Sequence, residues 1–140
     1  MNSVTFEIPG EPVAKGRPRF ARQGAFIRTF TPDKTVNYEN LVKLEYASQC
    51  QCAYLEGAIE AEIIAFFSIP KSASKKKQKL MADGEVLHTK KCDADNLAKT
   101  ILDALNGIAF HDDSQVSILK VVKRYAIVPR VQVILKSLEG

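Results

Sequence analysis

The chain has few of the features that would mark an exported, membrane-bound or repetitive protein. Its three cysteines, Cys50, Cys52 and Cys92, are an odd set without framework spacing, which predicts free thiols and a reducing compartment rather than a disulfide scaffold. The opening MNSVTFEIPGEP lacks a basic stretch followed by an apolar one, and no run of about 18 apolar residues occurs anywhere. The expectation is a soluble cytoplasmic protein that needs no membrane. Internal repeats, linkers and low-complexity tails are also absent, so residues 1–140 are expected to form one domain. With 46% hydrophobic residues there is material for an ordinary core.

Charge is the next asymmetry. The net charge is +4, compatible with a polyanionic partner but not proof of one. From Val13 to Pro32 no acidic residue interrupts Lys15, Arg17, Arg19, Arg22 and Arg28. A second basic run holds Lys71, Lys75, Lys76, Lys77 and Lys79, and the two together contain ten of the 20 basic residues. Phe20, Phe26 and Phe30 interleave the first run, where they either stack on bases or pack in the core.

Hydrophobic periodicity supplies the elements. Residues 3–9 alternate Val4, Phe6 and Ile8 against Thr5 and Glu7, predicting a strand stopped by Pro9-Gly10. Val13 to Pro32 reads as an exposed basic loop with a short strand at Ala25 to Phe30. A helix follows from Thr31-Pro32-Asp33 to about Ala53, then a strand from Ala58 to Ile69 ended by Pro70. Ser72 or Ser74 caps a short helix through Met81, and a third helix runs from Asp95 to Asn106 with Asn106-Gly107 as its stop. Strands at Val116 to Ile127 and Arg130 to Leu138 complete the order. The fold class expected is α+β, a small mixed or antiparallel sheet with helices packed on it.

The acidic residues carry the chemistry. Asp93, Asp95, Asp103, Asp112 and Asp113 fall within 21 positions. Asp93 and Asp95 precede the third helix and Asp112-Asp113 follows it, and a helix-to-strand return would bring the two pairs to one place. A hard cation such as Mg²⁺ takes one or two carboxylates plus water and phosphate oxygens. The plainer reading of Asp93 or Asp95 is a helix cap. Asp103 is accounted for by a helix-surface ion pair with Lys99. Lys99, one turn after Asp95, either pairs with a carboxylate or holds a phosphate. Two minor candidates are a Cys₃His zinc site from Cys50, Cys52, His88 and Cys92, and His111 as a proton carrier.

The run Asp93-Ala94-Asp95-Asn96-Leu97-Ala98-Lys99, then Asp103-Ala104-Leu105-Asn106-Gly107, then Asp112-Asp113-Ser114-Gln115-Val116 resembles the signature of the RusA family of Holliday-junction resolvases. The likeness continues through Lys120, Lys123 and Arg124, and upstream Gly10-Glu11-Pro12-Val13-Ala14-Lys15-Gly16-Arg17-Pro18-Arg19 with Thr31-Pro32 resembles the N-terminal half of many members. The resemblance implies a RusA-like fold and a Mg²⁺-dependent endonuclease resolving four-way junctions by paired symmetric cuts in recombination and repair. It implies Asp93, Asp95 and Asp113 as metal ligands, Lys99 as the essential helix lysine, and a homodimer. Cys92 departs from relatives with a basic residue there, a place Lys90 and Lys91 can fill. Lys15, Arg17, Arg19, Lys75, Lys76, Lys90 and Lys91 are the expected DNA contacts. The rivals are a non-catalytic branched-DNA-binding module and a metal-dependent hydrolase of small nucleotides.

Overall fold

The structure is a computed structural model that describes residues 3–14, 19–23, 26–30 and 33–139, without the side chains of residues 19–30. Strand β1 (Ser3–Pro9) is followed by β2 (Arg19–Gln23), β3 (Phe26–Phe30), α1 (Asp33–Cys50), β4 (Ile59–Ser68), α2 (Lys75–Ala82), α3 (Ala94–Leu105), a 3₁₀ turn (Asp113–Gln115), β5 (Val116–Ala126) and β6 (Arg130–Ser137). The main sheet has the order β1-β6-β4-β5. Its first three strands pair antiparallel, while β4 and β5 run parallel, so the sheet is mixed. The parallel pair requires a crossover, and the chain between β4 and β5 supplies it as α2 and α3.

Alternation decides the two faces of the sheet. Ile59, Ala61, Ile63, Ala65 and Phe67 of β4 are buried on one side, level with buried Val131, Val133 and Leu135 of β6. Helix α3 seats Leu97, Ile101 and Leu105, spaced one turn apart, in this core, and all three are fully buried. Each such side chain contributes on the order of 1.5–3 kcal/mol of transfer free energy. Helix α1 adds Tyr38, Val42 and Tyr46 at the same spacing, and the Tyr46 ring meets Phe6 edge-on at 5.2 Å. The other face is half-buried and carries Glu60, Glu62, Ile64 and Phe66, with the Arg130 guanidinium 4.0 Å from the Phe66 ring centre.

Three boundaries differ from expectation. The basic loop contains two strands rather than one, because β2 and β3 pair as an antiparallel hairpin. Helix α1 stops at Cys50, where Gln51 and Cys52 turn left-handed at φ 53° and 56°. Helix α3 begins at Ala94 with Asp93 as its N-cap, rather than at Asp95.

Candidate active site

The chain goes down helix α3 and comes back up strand β5. At the upper end, the loop before α3 is tied to the far part of β5. The His88 backbone N–H donates to the Lys123 carbonyl at 3.2 Å, and Lys123 Nζ donates to the Lys90 carbonyl at 3.0 Å. At the lower end, the loop after α3 returns beneath the start of the sheet. The Leu55 N–H donates to the Ala109 carbonyl at 2.7 Å, and Gln115 Nε2 to the Gly57 carbonyl at 2.9 Å. Asp93 and Asp95 therefore stand at the upper end and Asp112 and Asp113 at the lower.

The helix-to-strand return thus does not bring the two acidic pairs to one place within a chain. Twelve residues of α3 rise about 18 Å, and that length separates them. Among the described residues no three His, Cys, Asp or Glu side chains gather where they could hold a metal ion. The expected zinc set is likewise dispersed. Cys50 Sγ lies 3.7 Å from the Thr5 carbonyl at the end of α1, whereas Cys92 faces Lys34 and Tyr38 at its beginning.

The upper end is the more unusual locally. Cys92 has φ 95°, a conformation that costs a residue with a side chain on the order of 1–3 kcal/mol. This turn delivers Asp93 to the N-cap of α3, where its backbone carbonyl accepts from the Leu97 N–H at 3.0 Å. Its carboxylate makes no capping hydrogen bond, so the plain helix-cap account of this side chain fails. Asp93, Asp95 and Lys99 are all exposed, and Lys99 follows Asp95 by one turn. Burial pushes the Cys92 thiol above its ordinary pKa, with nearby Lys123 pulling the other way.

The lower end is committed elsewhere. Asp112 closes a capping box: its carboxylate accepts from the Ser114 N–H at 3.0 Å, and Gln115 Oε1 accepts from the Asp112 N–H at 3.0 Å. The hydrogen bonds to Ser114 hold the Asp112 carboxyl below its usual range. Asp113, the first residue of the 3₁₀ turn, is half-buried. His111 is exposed and lines an open depression of about 350 Å³ with Tyr54, Glu56 and Gln115.

The cations gather at the upper end. Lys90 and Lys91 are exposed just before Asp93, and Lys75 and Lys76 are exposed on α2. Lys15 and Arg17 lie outside the described residues, as does the side chain of Arg19, although its backbone opens β2. Lys123 is the residue missing from the sequence-based site. Its strand register puts it on the helix-covered face, between Val121 and Tyr125, where an apolar residue is expected. That misplaced charge was the available signal. The role it serves, bracing the loop beside Asp93, depends on a contact 33 residues away in sequence. His88 stacks on Phe67 with ring centres 3.6 Å apart, and burial first, then Lys123 and Lys90, lower its pKa.

Comparison with known proteins gives a consistent result. A family model described as Endodeoxyribonuclease RusA matches residues 9–136, nearly the whole chain. The chain is also 34% identical, over 142 aligned positions and the full length of both, to the Bacillus subtilis (strain 168) protein named Uncharacterized protein YqaN. No helix among the described residues is long and apolar enough to cross a membrane.

Proposed function

We propose, since the chain belongs to the RusA endodeoxyribonuclease family, that it is a Mg²⁺-dependent nuclease that resolves four-way DNA junctions as a homodimer, by paired symmetric cuts in recombination and repair. The observation that carries this reading is the uncommitted Asp93 carboxylate at the N-cap of α3, with Asp95 in the first turn and Lys99 one turn on. Oxygen donors of this kind suit a hard divalent cation. Asp93 and Asp95 would hold Mg²⁺; Asp113 of the same chain lies about 18 Å away along α3, so a third carboxylate would have to be Asp113 of the partner subunit in the homodimer. An ion held by Asp93 and Asp95 would supply an acidified water as nucleophile and charge neutralisation at the phosphate.

The chain's own residues supply the rest. Lys99 projects beside the carboxylates and holds the scissile phosphate, where its charge counts most as negative charge develops. Carboxylates repel DNA, so flanking cations must draw the backbone in. Lys90, Lys91, Lys75 and Lys76, with Lys15, Arg17 and Arg19 of the basic N-terminal segment, serve that purpose. Lys123 keeps the Lys90 carbonyl, and hence the approach to Asp93, in place.

The deciding experiment incubates the protein with labelled four-way junction and linear duplex, in Mg²⁺, in Ca²⁺ and without metal. Cleavage confined to the junction with Mg²⁺ is expected. Ca²⁺ should support binding but not reaction, because its larger, looser coordination misplaces water and phosphate. Junction binding with no cleavage in any metal would leave a binding module, and turnover of free nucleotides would point to a small-molecule hydrolase.

A further inference from the structure

The upper end of the sheet carries, besides Asp93 and Asp95, a turn of unusual composition. The chain passes from β5 to β6 through Ile127, Val128 and Pro129. Proline suits such a place, but Gly, Asn, Asp and Ser, the other residues that favour turns, are absent from it. Ile127 is 84% exposed and Val128 63%, so neither side chain is spent on the core. Single exposed apolar residues are ordinary on a protein surface. Two adjoining ones in one short turn make a continuous apolar surface that the fold does not use for itself.

The turn is fixed at its base. The Val128 carbonyl accepts from Arg130 Nη1 at 3.0 Å, and the Pro129 carbonyl accepts from the Gly10 N–H at 3.2 Å. The same Arg130 guanidinium lies 4.0 Å from the Phe66 ring centre, and its Nε is 3.8 Å from a Glu7 carboxylate oxygen. With these two carbonyls engaged and no N–H on Pro129, the turn is poorly equipped to read a base edge by hydrogen bonding. It presents apolar side chains on a braced support.

Its two flanks differ in charge. Ile127 borders an open depression of about 300 Å³ with Ser68, Ile69, Lys71 and Gln78, and from there α2 presents Lys75, Lys76, Lys77 and Lys79, all exposed. Val128 borders another, of about 470 Å³, where Glu7 and Glu45 outnumber Arg130. A phosphate backbone is therefore drawn to the Ile127 flank and repelled from the other. Ile127 follows Lys123, which braces the loop beside Asp93, by four residues, about 13 Å of extended chain. DNA drawn in by the α2 lysines toward Asp93 and Asp95 thus meets this turn at the same end of the sheet.

We infer that the Ile127-Val128 turn is an apolar wedge that enters the base stack at the branch point of the DNA and makes the protein selective for branched over linear substrate. The inference rests on the nuclease reading above and adds the part of the substrate that this turn recognises: bases whose stacking is interrupted at the crossover. Pushing an aliphatic side chain between the bases of a continuous duplex costs the stacking it breaks. At a branch point that stacking is already interrupted, so the same side chain gains apolar contact at little cost. The recognition is of shape rather than sequence, because the wedge contributes surface and no base-edge hydrogen bonds.

Four-way junctions carrying 2-aminopurine at the branch point test this, with the protein bound in the absence of divalent metal so that binding alone is read. Wild-type protein should raise the 2-aminopurine fluorescence as the base leaves the stack, and should leave the same base within linear duplex unchanged. Ile127→Ser combined with Val128→Ser should abolish the rise and lower the ratio of junction to duplex affinity by about 10-fold. The slope of log affinity against log salt should stay the same, since no phosphate contact is lost. Ile127→Leu, which keeps the apolar surface, should retain both the rise and the ratio. Both side chains are exposed, so the serine variant should melt at the wild-type temperature, and Ile127→Ser alone serves the same purpose if the pair fails to fold. A folded serine variant with wild-type fluorescence and ratio overturns the inference, leaves the nuclease reading standing, and reassigns the turn to contact with another protein. Wild-type protein that binds neither junction nor duplex overturns both readings together.

Discussion

Asp93 and Asp112 occupy the same local position, each the N-cap of a helical turn, and they use it in opposite ways. Asp112 spends its carboxylate on the Ser114 N–H and is held ionised there. Asp93 leaves its carboxylate out of any capping bond, at the end of a turn made costly by the left-handed Cys92. A carboxylate that a fold does not use for itself, presented beside a second one and a lysine, is available for a ligand. The lesson is that an aspartate's proximity to a helix start says little. What separates structure from chemistry is whether the backbone N–H groups are taking the charge.

The largest effect that would sharpen this contrast is at the Asp93 end. Asp95→Asn should reduce junction cleavage by at least about 100-fold, corresponding to roughly 3 kcal/mol of lost transition-state stabilisation, while gel-shift affinity for the junction stays equal or rises. A cleavage rate near wild type would erase the distinction between the two ends. Next in size is Lys99→Ala. A group acting on charge that develops during reaction should lower the single-turnover rate by about 10- to 100-fold and affinity far less. Equal losses in both would make Lys99 a binding residue.

Smaller again is the effect of the basic N-terminal segment. Changing Arg17 and Arg19 together to Ala should lower the slope of log affinity against log salt by up to about two, since each phosphate contact contributes about 0.9. An unchanged slope would move the DNA-binding surface to the lysines of α2. The smallest effects concern stability. Asp112→Ala should lower the melting temperature more than Asp93→Ala does, because only the former removes a capping bond. The reverse order would mean that Asp93 serves the helix after all. His88 adds a pH signature at the Asp93 end. Its folded pKa lies below the ordinary 6.5, so the unfolded chain binds more protons in between. Stability should be full above about pH 6.5 and fall as the pH drops through the lowered value, a fall that His88→Phe should flatten in thermal melts.

Local pattern carried much of this structure. The alternation in β1, β4 and β6 named buried Phe6, Ile63 and Val133 correctly because a strand's side chains must point to opposite faces. The one-turn spacing of Leu97, Ile101 and Leu105 set the buried face of α3 for the equivalent helical reason. The sequence narrowed the cap of α2 to Ser72 or Ser74, because a side-chain acceptor just before a free N–H is a local arrangement, and Ser74 is the one that accepts from the Lys77 N–H. The run from Asp93 to Val116 likewise identified the family from the chain alone.

Tertiary structure decided what no local pattern encodes. It paired β4 and β5 in parallel, which obliges the chain to cross the sheet and sets Asp93 and Asp113 at opposite ends of α3. It placed Lys123 against the Lys90 carbonyl, a contact made by strand register rather than by sequence neighbourhood. It also left β5 at the edge, with Ile118 and Leu119 bare on both faces. The physical reason is common to all three. Periodicity fixes which side of an element is apolar, but the order and direction of strands depend on contacts between distant segments, whose free energies compete only once the whole sheet is assembled.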